Sequence, residues 1–190
     1  MVKIENSKRT ILNMAEALLQ DKGFNGFSYA HIAAELGVKN AAIHYHFPSK
    51  EDLARAVIQR YRDRFQLWIN NARVKNLSPV EKLDWFISIY NNTRVDKGKV
   101  CLVGSMEVEF NTIPESLQAE VEALHKELLK WLEANLREGR EAGVFQFNGE
   151  PANKAALILS SVQGALQMAR ALGTKKFRDV VEQIKLDVLV

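Results

Sequence analysis

The residues best placed for chemistry are at the start of a brief helix, where two polar residues, Lys39 and Asn40, are followed by the small Ala41. Gly37 ends the preceding helix, since glycine adopts the left-handed conformation at no steric cost, and Val38 fills the angle between the two helices. Ala42, Ile43 and Phe47 are expected to anchor the second helix inward. Its polar start, with His44 and Tyr45, would then face outward.

Outward polar side chains at a helix start suit the major groove of DNA, where each base pair shows a distinct pattern of donors and acceptors. Lysine favours the guanine O6/N7 edge, and asparagine forms two hydrogen bonds with adenine. We therefore predict that Lys39 and Asn40 read bases. Ala41, and also Ala42, could contact a thymine methyl group. The alternative is that Lys39 and Asn40 form a solvated helix start.

The helices that position these residues follow from apolar residues at spacings of three and four and from capping residues. Ser49 with Asp52, and Ser78 with Glu81, have the spacing of capping boxes. No convincing strand or internal repeat is present. The sequence predicts an all-α fold of about nine helices, at residues 7–22, 29–36, 39–46, 50–71, 79–94, 102–112, 115–142, 152–172 and 175–189.

The stretch from Ser28 to Leu53 strongly resembles the TetR family of transcriptional regulators. Its most specific part is the run from Tyr45 to Glu51. The residues that carry the resemblance are Ile32, Ala33, Gly37, Val38, Ile43, His46, Phe47, Ser49, Lys50, Glu51 and Leu53. The resemblance implies a three-helix DNA-binding domain at residues 1–48 and an effector-binding and dimerisation domain at residues 49–190, linked by the helix at 49–71.

The same resemblance assigns phosphate contacts, which set register rather than sequence, to residues on both sides of the turn. These are Ser28, Tyr29, His44, Tyr45 and Lys50. Most family members carry Tyr or Phe at the position of His44. We therefore expect the affinity for DNA to rise as the pH falls through the imidazole range.

The family places a small-molecule cavity in the second domain, and this chain offers apolar and aromatic residues to line it. The candidates are Trp68, Trp85, Phe86, Tyr90, Cys101, Met106, Phe110, Trp131 and Met168. The alternative is that they form core. Glu107 and Glu109 could orient a cationic ligand or lie on a solvated face. Cys101 lies in a CLVGS segment similar to one branch of the family, and is either an electrophile sensor close to Lys97 and Lys99 or a small buried hydrophobe.

The two C-terminal helices carry more apolar surface than one chain can cover, which predicts a homodimer, in the family a four-helix bundle. The candidate interface residues are Ser160, Gly164, Ala165, Phe177, Val181, Ile184 and Val188. The alternative is that both helices complete the core of a monomer.

Composition and charge fit this interpretation. The net charge of +3 arises within residues 1–65, which hold ten Lys or Arg and seven Asp or Glu, as expected of a segment that meets phosphate. The single cysteine excludes an internal disulfide and a cysteine-based zinc site. The first twenty residues lack a signal-peptide core and no apolar run could span a membrane, so we expect a cytoplasmic protein with no membrane partner.

The sequence therefore predicts a ligand-responsive regulator, most simply a repressor, that binds a palindromic operator in double-stranded DNA and is released by a small molecule, with no cofactor. A DNA-binding activator, nucleoid-type protein or adaptor without an effector is the alternative. An enzyme is disfavoured because the chain has no nucleophile elbow, phosphate loop or metal-ligand spacing. A small-molecule carrier would not need the Lys39 and Asn40 helix start.

Overall fold

The computed structural model describes residues 7–91 and 99–190, and this part of the chain is all-α, as predicted. It contains ten α-helices, a short 3-10 helix at Phe110–Thr112 and one isolated β-bridge between Phe145 and Leu189. The α-helices are α1 Ser7–Lys22, α2 Tyr29–Leu36, α3 Asn40–His46, α4 Lys50–Ile69, α5 Ala72–Lys75, α6 Pro79–Asn91, α7 Leu102–Val108, α8 Glu115–Glu141, α9 Pro151–Leu172 and α10 Lys175–Leu186.

Two differences from the predicted helices are local, and one predicted segment is not described. The four-residue α5 was not expected, because so short a segment has no apolar period. The helix predicted at 102–112 divides into α7 and the 3-10 helix. The end predicted for α6 at residues 92–94 and most of the loop predicted at 95–99 lie outside the described residues.

The chain forms two compact units. The first contains residues 1–64 and 102–123, and the second contains residues 65–101 and 124–190. Two of the three divisions fall inside helices, α4 and α8, and the third falls at the start of α7. The first unit therefore combines α1 to α3 with most of α4, with α7 and with the start of α8, which is more than the domain expected at residues 1–48.

The core of the first unit is made by the apolar stripes of its helices. From α1, Ile11, Ala15 and Leu19 are buried at spacings of four. Phe24 and Phe27 are buried in the loop after α1. The other helices contribute Ile32, Ile43, Leu53, Ala54, Val57, Ile58, Leu102, Met106, Leu117 and Val121.

Two glycine and cap features fix the ends of the first unit's helices. Gly37 has φ 64°, the left-handed conformation that closes α2, and the N–H of Val38 donates to the carbonyl of Ala33. At the start of α4 the predicted capping box is present. The Ser49 N–H donates to Asp52 Oδ2 at 3.1 Å, and the Asp52 N–H donates to Ser49 Oγ at 3.0 Å.

The second unit is built on α6, the later part of α8, α9 and α10. Its buried residues recur at helical spacing on each helix: Leu83, Phe86, Ile87, Tyr90, Leu124, Leu128, Leu132, Leu136, Ile158, Leu159, Val162, Leu166, Phe177 and Ile184. The predicted Ser78 and Glu81 capping box begins α6, with the Ser78 N–H donating to Glu81 Oε2 at 2.8 Å. These hydrogen bonds hold the pKa of Glu81 below its usual value.

Candidate nucleic-acid interface and effector region

The start of α3 is exposed and its end is anchored. Ile43 and Phe47 are buried, and Lys39, Asn40 and Ala41 are exposed at the other end of this seven-residue helix. Ala42 is also exposed, which corrects the expectation that it anchors the helix inward. A helix with an anchored end and a polar, accessible start is the arrangement that recognition of bases in the major groove requires.

Tyr29 is buried, contrary to the phosphate contact predicted for it. Its hydroxyl donates to the carbonyl of Phe47 at 2.9 Å and so ties α2 to the end of α3. Burial, with a smaller contribution from the negative charge of Asp52, raises the pKa of Tyr29 to about 12. The phenol thus fixes the angle between the two helices and is not available to a phosphate.

His44 and Tyr45 lie in the last turn of α3, and both side chains are exposed. The ring of His44 contacts the ring of Tyr29 at a centroid distance of 4.7 Å, and its Nδ1 lies 3.1 Å from the carbonyl oxygen of Pro48. Because a carbonyl only accepts, Nδ1 carries the proton, and Nε2 of the neutral ring is left as an acceptor. Tyr45 is 85% exposed.

Ser28 is exposed where α2 begins, and His31 provides a helix cap that the sequence analysis missed. The Ser28 N–H donates to Nδ1 of His31 at 3.1 Å, the bond that a glutamate makes in a capping box. The sequence signal was a histidine three residues after a serine. It was not read as a cap because glutamate and glutamine are the usual residues there.

Lys50 points its ammonium group at the loop after α1. Nζ lies 4.4 Å from the ring centroid of Phe24 and 5.0 Å from that of Phe27, within the range of cation–π attraction. Burial lowers the pKa of Lys50, and the negative charge of Glu109 acts in the opposite direction. This ammonium group is thus engaged inside the first unit, and the phosphate contact predicted for Lys50 stays a prediction.

Four of the predicted pocket residues form an aromatic cluster in the second unit. Trp68 stacks on Trp85 at 5.3 Å, Phe86 stacks on Trp131 at 5.6 Å, and Trp68 contacts Trp131 at 4.8 Å between centroids. Trp85 is 49% exposed and forms the accessible end. The indole Nε1 of Trp68 is buried and has no hydrogen-bond partner among the residues that the structure describes.

The other predicted pocket residues are placed differently. The ring of Tyr90 contacts Phe86 at 5.8 Å, which makes it a neighbour of the cluster. Met106 and Phe110 belong to the first unit, and Met106 is fully buried there. Met168 is 43% exposed, and its place in a cavity stays a prediction that this exposure does not support. Its side chain lies on an outer face of α9.

Cys101 is buried in the second unit, and Nε2 of Gln163 donates to its sulfur at 4.0 Å. Burial is the environment expected of the small-hydrophobe alternative rather than of a reactive thiol. Lys99 is half-buried, and Lys97 lies outside the described residues.

A shallow cleft of about 190 Å³ lies between α9 and α10. None of the residues predicted for the effector cavity lines it. Its walls are largely apolar, with Lys154 and Asp187 among the lining residues, and they include Ile158, Ile184 and Val188.

Four of the seven residues predicted for a dimer interface are buried in their own chain. They are Ala165, Phe177, Ile184 and Val188. Because α10 packs along α9, these four side chains lie largely within their own chain, and their predicted place at an interface is not supported by their burial. Ser160 is exposed, and Gly164 and Val181 are half-buried. An outer face of α9 stays open and contains Leu157, Ser160, Gly164, Met168 and Ala171.

In residues 7–91 and 99–190, no group of three His, Cys, Asp or Glu side chains is arranged to hold a metal ion. Within the same residues, no helix combines the length and apolar character that crossing a membrane requires.

The anchored, outward-facing α3 defines a helix-turn-helix DNA-binding regulator, and two family models agree. Residues 11–57 match the model of bacterial regulatory proteins of the tetR family, and residues 80–184 match the tetracyclin repressor-like C-terminal domain. The chain belongs to the TetR family of transcriptional regulators, which are not enzymes.

Solved structures and a curated relative support the assignment. A TetR-family regulator from Agrobacterium tumefaciens is 31% identical, with a TM-score of 0.88 over 96% of this chain and 97% of that one. A TetR regulator from Legionella pneumophila is 34% identical, with a TM-score of 0.83 over 97% and 98%. The transcriptional repressor DhaR of Mycobacterium sp. (strain GP1) is 24% identical over 77% of this chain and 73% of its own.

Proposed function

We propose that this TetR-family protein is a homodimeric repressor that binds a palindromic operator and is released by a small molecule. The observation that carries the proposal is the start of α3, where Lys39, Asn40 and Ala41 are exposed on a helix held by Ile43 and Phe47. Two such helices roughly 34–36 Å apart would read successive major grooves. Repression is the activity stated in the name of the relative DhaR.

The open face of α9 supports the dimer. Leu157, Gly164 and Met168 follow one another at spacings of seven and four residues, and a Cβ at Gly164 would meet nothing within 4 Å in its own chain. A small residue on an apolar helix face allows a second helix to approach closely.

A regulator of this kind acts on the chromosome, so we expect it in the cytoplasm.

The aromatic cluster supports an apolar or aromatic effector. Trp85 offers an accessible ring face, and the Trp68 indole N–H is a buried donor without an acceptor in the part of the chain that the structure describes. Buried polar groups normally have a partner, so an effector that brings an acceptor would satisfy this one. Binding would release DNA only if the effector favours one shape of the dimer over the other.

The decisive experiment is selection of binding sites from a random DNA pool at about 0.15 M salt, where non-specific phosphate contacts are screened. We expect a palindromic site. With Lys39→Ala or Asn40→Ala, matching positions in both half-sites should lose their preference, with roughly 1–3 kcal/mol lost per base contact. Lys75→Ala removes the same charge from the exposed α5 and should leave the site unchanged.

An empty or non-palindromic selection would contradict the proposal and favour an effector-free adaptor. The close packing of the Trp68, Phe86 and Trp131 rings is the observation that keeps this second candidate in view. Once an operator is known, a screen of aromatic compounds for release of DNA separates the two. If the protein is an adaptor, we expect that no compound releases the DNA and that none binds at Trp85.

A further inference from the structure

Glu109 binds the loop that leads into the helix-turn-helix, although 85 residues separate it from Phe24. It lies between α7 and the 3-10 helix, within the region matched by the C-terminal family model. Its Oε2 accepts the N–H of Phe24, and its Oε1 accepts the N–H of Asn25 at 3.1 Å. One carboxylate therefore holds two successive backbone groups of the loop after α1. Neither of the predicted roles of Glu109, a ligand contact or a solvated face, describes this arrangement.

The backbone that carries this carboxylate is itself held in place. The backbone carbonyl of Glu109 accepts the N–H of Thr112 at 2.8 Å and the N–H of Ile113 at 3.1 Å. A third hydrogen bond joins the loop to the same segment, from Nδ2 of Asn25 to Oγ1 of Thr112 at 2.8 Å. The loop is thus tied at two points to a segment whose own backbone is fixed by hydrogen bonds.

Gly23 makes the close approach possible. It has φ 73°, and a Cβ there would lie 2.6 Å from Oε2 of Glu109. A side chain at this position would therefore meet both a strained backbone and the carboxylate. Lys50 lies over the rings of Phe24 and Phe27, and its positive charge interacts favourably with Glu109. Glycine, carboxylate and ammonium group together form a compact arrangement around one loop.

The tied loop determines where α2 begins. Phe24 and Phe27 are buried, Ser28 follows directly, and α2 is bonded to α3 through the Tyr29 hydroxyl. A displacement of the loop would therefore displace α3, and an error of about 1 Å in the placement of a binding group is enough to weaken recognition. The charged group that prevents this comes from outside residues 11–57, the region of the DNA-binding family model.

We propose that Glu109 is a positioning residue for DNA recognition, which fixes the loop after α1 and through it the reading helix α3. The inference rests on the proposed binding of a defined operator. Charge alone gives the opposite expectation, because removing a carboxylate from the DNA-binding unit should strengthen binding to a polyanion. The sign of the change therefore separates positioning from electrostatics.

The test compares Glu109→Gln with Glu115→Gln, which removes the same charge from an exposed position at the start of α8 in the same unit. Affinities are measured for the duplex selected from the random pool and for a random duplex of equal length. For Glu109→Gln we expect the selected duplex to bind about tenfold more weakly, since a charge-assisted bond is lost, while the random duplex binds no more weakly. Glu115→Gln should weaken neither.

Amide hydrogen exchange gives a second readout. Phe24 and Asn25 should be protected in the wild type and should exchange faster in Glu109→Gln, with Phe47 unchanged. A role in stability alone would lower both affinities together with the folded fraction. Unchanged or tighter binding of the selected duplex by folded Glu109→Gln overturns the inference.

If Glu109→Gln does not fold, Thr112→Val replaces it, because it removes one hydroxyl, which accepts from Asn25 and donates to the backbone carbonyl of Glu109. The selected duplex should then bind roughly threefold more weakly, since the neutral hydrogen bond to the loop is lost, and unchanged binding overturns the inference. A selection that yields no operator from wild-type protein is a failure of the proposed function. The Glu109 variants fail separately, against an operator already in hand.

Discussion

Two neighbouring side chains of the helix-turn-helix, Tyr29 and His44, place their polar atoms in opposite situations. The two rings are in contact. The phenol of Tyr29 donates inward to the carbonyl of Phe47, whereas His44 bonds to the carbonyl of Pro48 through Nδ1, a bond in which its Nε2 takes no part. One side chain therefore affects stability and the other affects binding. Each makes a separate prediction.

Tyr29→Phe should lower the free energy of unfolding by about 1 kcal/mol at pH 8, because the buried carbonyl of Phe47 loses its donor. The folded protein holds the phenol proton more tightly than the unfolded chain does, since the pKa of Tyr29 is raised to about 12. This contribution is complete below pH 10 and is lost as the pH rises towards 12. Urea unfolding of both proteins should show a difference that narrows over that range. A difference that stays constant would contradict the assignment.

His44 should make operator binding depend on pH. The neutral ring presents an acceptor at Nε2, which a phosphate cannot bond, and protonation converts it into a charged donor. We expect binding at pH 6 to be roughly fivefold tighter per half-site than at pH 8, which corresponds to about 1 kcal/mol. His44→Tyr is the control, because it removes only this imidazole and keeps His31 and His46. Equal pH dependence in the two would exclude His44 as the source.

At the scale of secondary-structure elements, α4 and α6 begin with the same device. Ser49 with Asp52 and Ser78 with Glu81 each satisfy backbone groups of a first turn reciprocally. The two helices differ in position along the chain. α4 follows α3 directly and buries Leu53 and Ala54 in the first unit, and α6 lies in the second.

Ser49→Ala and Ser78→Ala should therefore cost similar stability, about 1 kcal/mol each, the usual effect of losing an N-cap. Only Ser49→Ala should also weaken binding to the selected duplex, because the start of α4 supports the end of α3. Thermal denaturation and duplex titration of the two variants test this as a pair. Equal losses of affinity would show that the effect is one of general stability.

The local pattern of the sequence was sufficient for most elements and for the exposed start of α3. Periodicity and capping are short-range properties, which is why α1 and the start of α4 are where they were expected. Contacts between distant segments have no local signature. The sequence could therefore not show that Glu109 binds the Phe24 loop, or that Tyr29 points inward to Phe47.

The same limit explains the C-terminal helices. An amphipathic pattern shows that a helix has a face to bury, but it does not show which partner covers that face. For Phe177 and Val188 the partner is the same chain, and the outer face of α9 is left uncovered by residues 7–91 and 99–190. A pattern that predicts surplus apolar surface therefore does not identify the residues that stay exposed.

At the scale of the whole molecule, the proposed dimer depends on the outer face of α9. Gly164→Leu should leave the single chain folded and even slightly more stable, by up to about 1 kcal/mol, because glycine is a poor helix residue. A Cβ there meets nothing within 4 Å in its own chain. If a second α9 packs on this face, the larger side chain should separate the protomers.

Analytical ultracentrifugation of the wild type and the variant measures this directly. We expect a dimer for the wild type and a folded monomer for Gly164→Leu. Ala152→Leu, at an exposed position in the first turn of α9, should remain a dimer. A dimeric Gly164→Leu protein with unchanged dissociation constant would place the interface elsewhere.

The residue ranges that make up the first unit also determine where this protein could be joined to a relative in a chimera. Residues 102–123 belong to the unit that carries the helix-turn-helix, and Arg62 pairs with Glu120 there at 2.8 Å. A chimera joined after residue 48 would leave Phe24 and Asn25 facing a foreign segment in place of Glu109. A graft intended to transfer DNA specificity intact should carry two pieces, residues 1–64 and 102–123, even though the second lies in what the sequence presents as the effector domain.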